Sequence, residues 1–109
     1  MDSIAVTEEI YETSKRLNES GKAIFKLGKE WAEAERDYRL MLSLEITKLK
    51  ADGMPATLIA DVARGNAADL KFKRDLAESR YKSCMEAQKA LQSRLSALQS
   101  ILRVQSEVG

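Results

Sequence analysis

The chain has 109 residues, 44% of them hydrophobic, with 18 Lys and Arg against 17 Asp and Glu for a net charge of +1. That length holds one domain at most, and near-neutrality removes any global pull toward nucleic acid or an anionic membrane. The single cysteine, Cys84, rules out an internal disulfide, and the lack of histidine removes Ser-His and Cys-His catalysis and the usual zinc spacings.

Residues 3–52 read as one long amphipathic helix. Ile10, Leu17, Ile24, Trp31 and Tyr38 recur every seven residues, the register of a coiled-coil seam. Companion positions begin small and polar at Thr13, Ser14, Ser20 and Gly21 and grow to Leu27, Ala34, Met41 and Leu42. A straight helix drifts about 20° per heptad, so the stripe passes to Leu42, Ile46 and Leu49 once Glu45 interrupts it. Gly21 and Gly28 lie on one side of this helix, and each costs about 1 kcal/mol relative to alanine. Two such costs point to close approach of a neighbouring backbone, with a kinked or flexible N-terminal third as the alternative.

The connector from Asp52 to Asn66 holds the only proline. Gly53 suits a C-terminal cap, Pro55 a first helical turn, Gly65 a second C-terminal cap, and Asn66 with Asp69 a new N-terminus. A short helix over 55–64 is predicted, with Leu58, Ile59 and Val62 sealing the end of a bundle.

Residues 66–107 form the last predicted helix. Leu70, Ala77, Cys84, Leu91 and Leu98 keep heptad spacing, supported by Tyr81, Leu95 and Leu102. A second stripe of Leu76, Ala87, Ala90, Ala97 and Ile101 lies beside the first. A helix apolar over so wide an arc usually touches more than one neighbour. The pattern therefore predicts an all-α fold: a long antiparallel, coiled-coil-like helical hairpin with a short connector helix, dimerising into a four-helix bundle. Trp31, Tyr38, Leu91, Leu95, Leu98 and Leu102 are the candidate residues of the oligomer or partner interface.

Few constellations carry chemistry. Cys84 falls in a predicted seam, where a thiol is structural rather than reactive. Glu30 with Glu33 and Asp75 with Glu78 resemble the acidic pairs by which all-α nucleotide pyrophosphatases hold magnesium, although the gap between the pairs departs from that family's spacing. Solvated faces with Glu to Lys pairing explain the same residues more simply. Ile59, Ala60, Ala63 and Leu70 imitate a helix-turn-helix, but Gly65 comes one residue too late for its turn.

By halves, residues 1–52 hold nine Lys and Arg against eleven Asp and Glu, and 53–109 hold nine against six. The later half is therefore the candidate anionic-ligand surface. Lys71, Lys73, Arg74, Arg80 and Lys82 surround Phe72 and Tyr81, with Arg64 as a possible extension. Basic charge with stacking aromatics is what single-stranded nucleic acid needs.

The run Met54-Pro55-Ala56-Thr57-Leu58-Ile59-Ala60-Asp61-Val62-Ala63-Arg64-Gly65-Asn66 resembles a class of small helical proteins from phages and prophages of Gram-positive bacteria. So does Leu70-Lys71-Phe72-Lys73-Arg74-Asp75-Leu76-Ala77-Glu78, and the segment from Ile24 to Glu35 is similar in flavour. The resemblance implies a setting among early, replication or recombination genes, and it transfers no active site. The size also resembles the secreted WXG proteins, but Trp31 is followed by Ala32 and Glu33, so that match is rejected.

No stretch approaches the roughly 20 apolar residues that span a bilayer. The N-terminus also lacks the basic start and apolar run of a signal peptide. The reading is a non-enzymatic phage accessory protein of the bacterial cytoplasm without a cofactor, binding itself and another protein, of the replication or recombination machinery or of a host defence system. Single-stranded nucleic-acid binding is the alternative, and a magnesium-dependent nucleotide hydrolase the third.

Overall fold

The structure, a computed structural model, describes residues 2–108 and contains three helices: α1 (Ser3–Ala51), α2 (Ala56–Asn66) and α3 (Ala68–Val108). The fold is an all-α helical hairpin. Asp2 caps α1, its carboxylate accepting from the Ala5 N–H at 2.8 Å, which satisfies one of the unpaired donors of the first turn.

α1 ends because Gly53 takes φ +80°, the left-handed conformation that an L side chain resists. The Met54 N–H then reaches back to the Leu49 carbonyl at 3.1 Å and the Gly53 N–H to Lys50 at 3.1 Å. This is the Schellman pattern, and Met54 packs against Leu49 as its hydrophobic contact. Pro55 is the N-cap of α2 rather than its first helical residue.

Gly65 and Asn66 were expected to end one helix and open the next, yet α2 runs through both. Only Ala67 interrupts the chain before α3. Its N–H bonds the Ala63 carbonyl at 3.1 Å, and its own carbonyl accepts from Lys71 at 3.1 Å. The Asn66 side chain donates to Glu45 on α1 at 3.0 Å instead of capping α3. Ala63 and Ala67 are buried, so the close seating of this bend on its surroundings replaces the capping chemistry.

Packing divides into two compact units, one of residues 1–26 with 82–109 and one of residues 27–81. In the first, Arg94 on α3 pairs with Glu9 on α1 at 2.6 Å, and Ser3 bonds Gln105 at 3.3 Å, so the helices run antiparallel. Val6, Thr13 and Leu98 are its buried residues. In the second, Leu49, Ile59 and Ala63 form a core with Leu42, Ile46, Met54 and Val62 against it. Leu58, expected to join this seal, is instead half exposed. Glu45 breaks the seam by turning to Asn66, so Leu42, Ile46 and Leu49 carry the apolar stripe past it.

Candidate functional site

The second unit holds the most structured cluster of polar and aromatic side chains. It follows from heptad register on α3, where positions 70, 74, 77, 81, 84, 88, 91, 95, 98, 102 and 105 are all buried or half-buried. Position 74 lies seven residues before Tyr81, so its side chain is drawn into the seam although it is an arginine. Arg74 is only 22% exposed.

The Arg74 guanidinium lies over the Tyr38 ring, 4.7 Å from its centroid. Its Nη1 pairs with Glu35 Oε2 at 3.2 Å, and its Nη2 and Nε donate to Asp75 Oδ1 at 2.9 and 3.1 Å. A cation over an aromatic face gains from the ring's quadrupole, and partial burial strengthens that attraction. Hydrogen bonding to Asp75, with the Glu35 charge beside it, pushes the Arg74 pKa above its ordinary value. The hydrogen bond from Arg39, with the Arg74 charge beside it, holds the Glu35 carboxyl below its ordinary value.

Next to this layer, Trp31 and Tyr81 stack in a tilted arrangement with centroids 5.4 Å apart. Gly28 makes room for the pair, since a Cβ there would stand 3.3 Å from Tyr81 Cε2. The close approach expected at this glycine is real, but it is to a side chain rather than a backbone. Gly21 meets nothing within 4 Å, so no close neighbour explains it.

Two grooves open beside these layers. One, of about 430 Å³, is lined by Gly28, Trp31, Ala32, Glu35, Arg74 and Glu78. The other, of about 370 Å³, has Glu30, Glu33 and Asp37 on its α1 wall and Lys73 and Arg80 on its α3 wall, with Ala34, Leu76 and Ala77 between them.

The interface candidates are placed inward. Tyr38 and Leu98 are buried, while Trp31, Leu91, Leu95 and Leu102 are half-buried. Trp31 stacks on Tyr81 and Tyr38 lies under Arg74, whereas the second stripe is open: Leu76, Ala87, Ala90, Ala97 and Ile101 are all exposed.

The basic candidates differ in their surroundings. Arg64 pairs with Asp61 at 3.1 Å, Lys71 is solvated, and Arg74 is held in the seam. Lys73 and Arg80 line the charged groove, where Arg80 approaches Glu30 at 3.7 Å. Lys82 belongs to the other unit. A heptad count back from Tyr81 removes Arg74 from the patch, and a count forward marks Gln88 as a further polar seam position.

The proposed magnesium carboxylates are also divided. Glu30 and Glu33 line one groove, Glu78 lines the other, and Asp75 accepts from Arg74. Among the described residues no group of three or more His, Cys, Asp or Glu is placed to hold a metal ion. Only Ala67 separates α2 from α3, against the three or four residues of a helix-turn-helix turn.

Compared with known protein families, characterised proteins and solved structures, the chain matches none. Among the described residues no helix is long and apolar enough to cross a membrane.

Proposed function

We propose that the protein is a non-enzymatic binding module of the bacterial cytoplasm, acting in a phage setting by presenting helix faces to other proteins. The observation that carries this reading is the apolar row of α3 that the hairpin does not cover. In the first unit it comprises Ala87, Ala90, Ala97, Ile101 and Val104, all exposed. Water-facing apolar rows of this kind mark interaction surfaces. The phage setting rests on the resemblance of residues 54–66 and 70–78. Single-stranded nucleic acid is the weaker reading, because Arg64, Arg74 and Arg80 are already paired with carboxylates of the chain.

The test is affinity capture from the producing cell with the wild-type chain and with an Ala90→Glu, Ile101→Glu double variant. A protein retained by the first and lost by the second, at equal helicity, supports the reading. Identical captures would reject the α3 row as the binding surface. Retention of a labelled oligonucleotide at low salt would favour the nucleic-acid alternative instead.

A further inference from the structure

Within residues 27–81, one face of the hairpin carries an acidic wall and a basic wall on either side of an apolar floor. Glu30, Glu33 and Asp37 belong to α1, and Lys73 and Arg80 to α3. The charges are only partly spent within the chain. Glu33 reaches Lys29 at 3.9 Å and Asp37 pairs with its neighbour Arg36, both in solvated geometry. Lys73 has no carboxylate partner among the described residues. The floor is exposed too, for Leu76 between the two cations is 50% accessible. Leu40 and Leu44 continue the α1 row at helical spacing from Asp37 and are more exposed still.

A surface with opposite charges on its two walls is complementary to itself under one two-fold arrangement and repulsive under the other. If the axis runs along the helices, α1 of each copy lies against α3 of its partner. Acidic and basic walls then meet at matching heights, and the leucines pack between them. If the axis runs across the helices, like walls face each other. We propose that this face binds a second copy of the chain in the first arrangement, giving four helices in which each is antiparallel to both of its neighbours. This inference rests on the binding-module reading and names one partner for it.

Three chains test it by sedimentation equilibrium, with circular dichroism as the check on folding. In the first variant Glu33→Lys and Asp37→Lys make both walls basic. In the second, Lys73→Glu and Arg80→Glu make both acidic. Wild type should dimerise, each variant alone should associate at least about tenfold more weakly, and an equimolar mixture should recover wild-type affinity as a heterodimer. Added salt should weaken the wild-type dimer, because it screens attraction between unlike walls. Tighter association on adding salt overturns the axis assignment. Variants that dimerise as well as wild type also defeat the proposal. So does a wild-type chain that stays monomeric through the micromolar range, and in that case the binding-module reading is still judged separately by the capture experiment.

Discussion

Gly28 and Tyr81 touch: a methyl group on the glycine would meet the tyrosine ring edge at 3.3 and 3.6 Å. Seven residues earlier Gly21 faces open space. Gly21→Ala should therefore raise stability by about 0.5 to 1 kcal/mol, because alanine loses less backbone entropy in a helix. Gly28→Ala should gain less, since the ring must shift, and Gly28→Val should cost about 1 to 3 kcal/mol by overpacking. Urea unfolding distinguishes them. Equal gains for alanine at both positions would contradict the Tyr81 contact.

Arg74 combines a cation over Tyr38 with a salt bridge to Glu35, so its removal reports on both. Arg74→Ala should destabilise by about 1 to 2 kcal/mol, through lost contact of the stem and the aromatic face. Arg74→Leu should remain within about 1 kcal/mol of wild type, because an apolar side chain suits a seam position and Arg39 still pairs with Glu35. An alanine variant as stable as wild type would mean that the arginine contributes nothing to this layer.

Acid should expose the role of Glu35. Its folded-state pKa lies below the ordinary 4.5 because of the hydrogen bond from Arg39 and the charge of Arg74. A group depressed in the folded state contributes stability above its unfolded pKa and loses it as pH falls through the folded value. The difference in melting temperature between wild type and Glu35→Gln should thus be full near neutrality and shrink steadily below pH 4.5. A constant difference from pH 7 to pH 3 would show that the charge of Glu35 is not what matters.

Leu98 and Ile101 sit one helical turn apart on α3 and should behave oppositely. Leu98 is 6% exposed, and Leu98→Ala should cost about 2 to 5 kcal/mol at any protein concentration. Ile101 is 43% exposed. Ile101→Ser should change a dilute monomer by no more than about 0.5 kcal/mol. Denaturation at a concentration where the chain is monomeric makes the comparison, and a large loss at Ile101 there would place it in the seam.

The helices and their seams were legible because heptad repetition is a property of sequence alone. The chain ends of α1 were partly legible: glycine at position 53 announced the left-handed cap, whereas the Asp2 cap went unread. The bend at Ala67 was not legible, since Gly65 and Asn66 carry the local signature of a break. Tertiary partners override it, Glu45 taking the Asn66 amide and burial holding Ala63 and Ala67. The same applies to the site. Composition placed Arg74 among surface cations, and only its register with Tyr81 and its neighbours Tyr38 and Glu35 draw it inward. Within one chain Leu98 is buried and Leu91, Leu95 and Leu102 are half-buried, and periodicity alone does not say which helix covers a stripe.

The Schellman turn at Gly53 bears on the kinetics of folding as well. It brings Leu49 and Ile59 into one core across a very short stretch of chain. The entropy of closing a loop rises with its length, so this contact is cheaper to form than any between α1 and α3 of its unit. Most pairings that follow in that unit extend from a tip already closed, and such local topology is the kind that folds fast. Changes at Gly53 or Leu49 should therefore slow folding, whereas changes at sites that pack after the tip should speed unfolding.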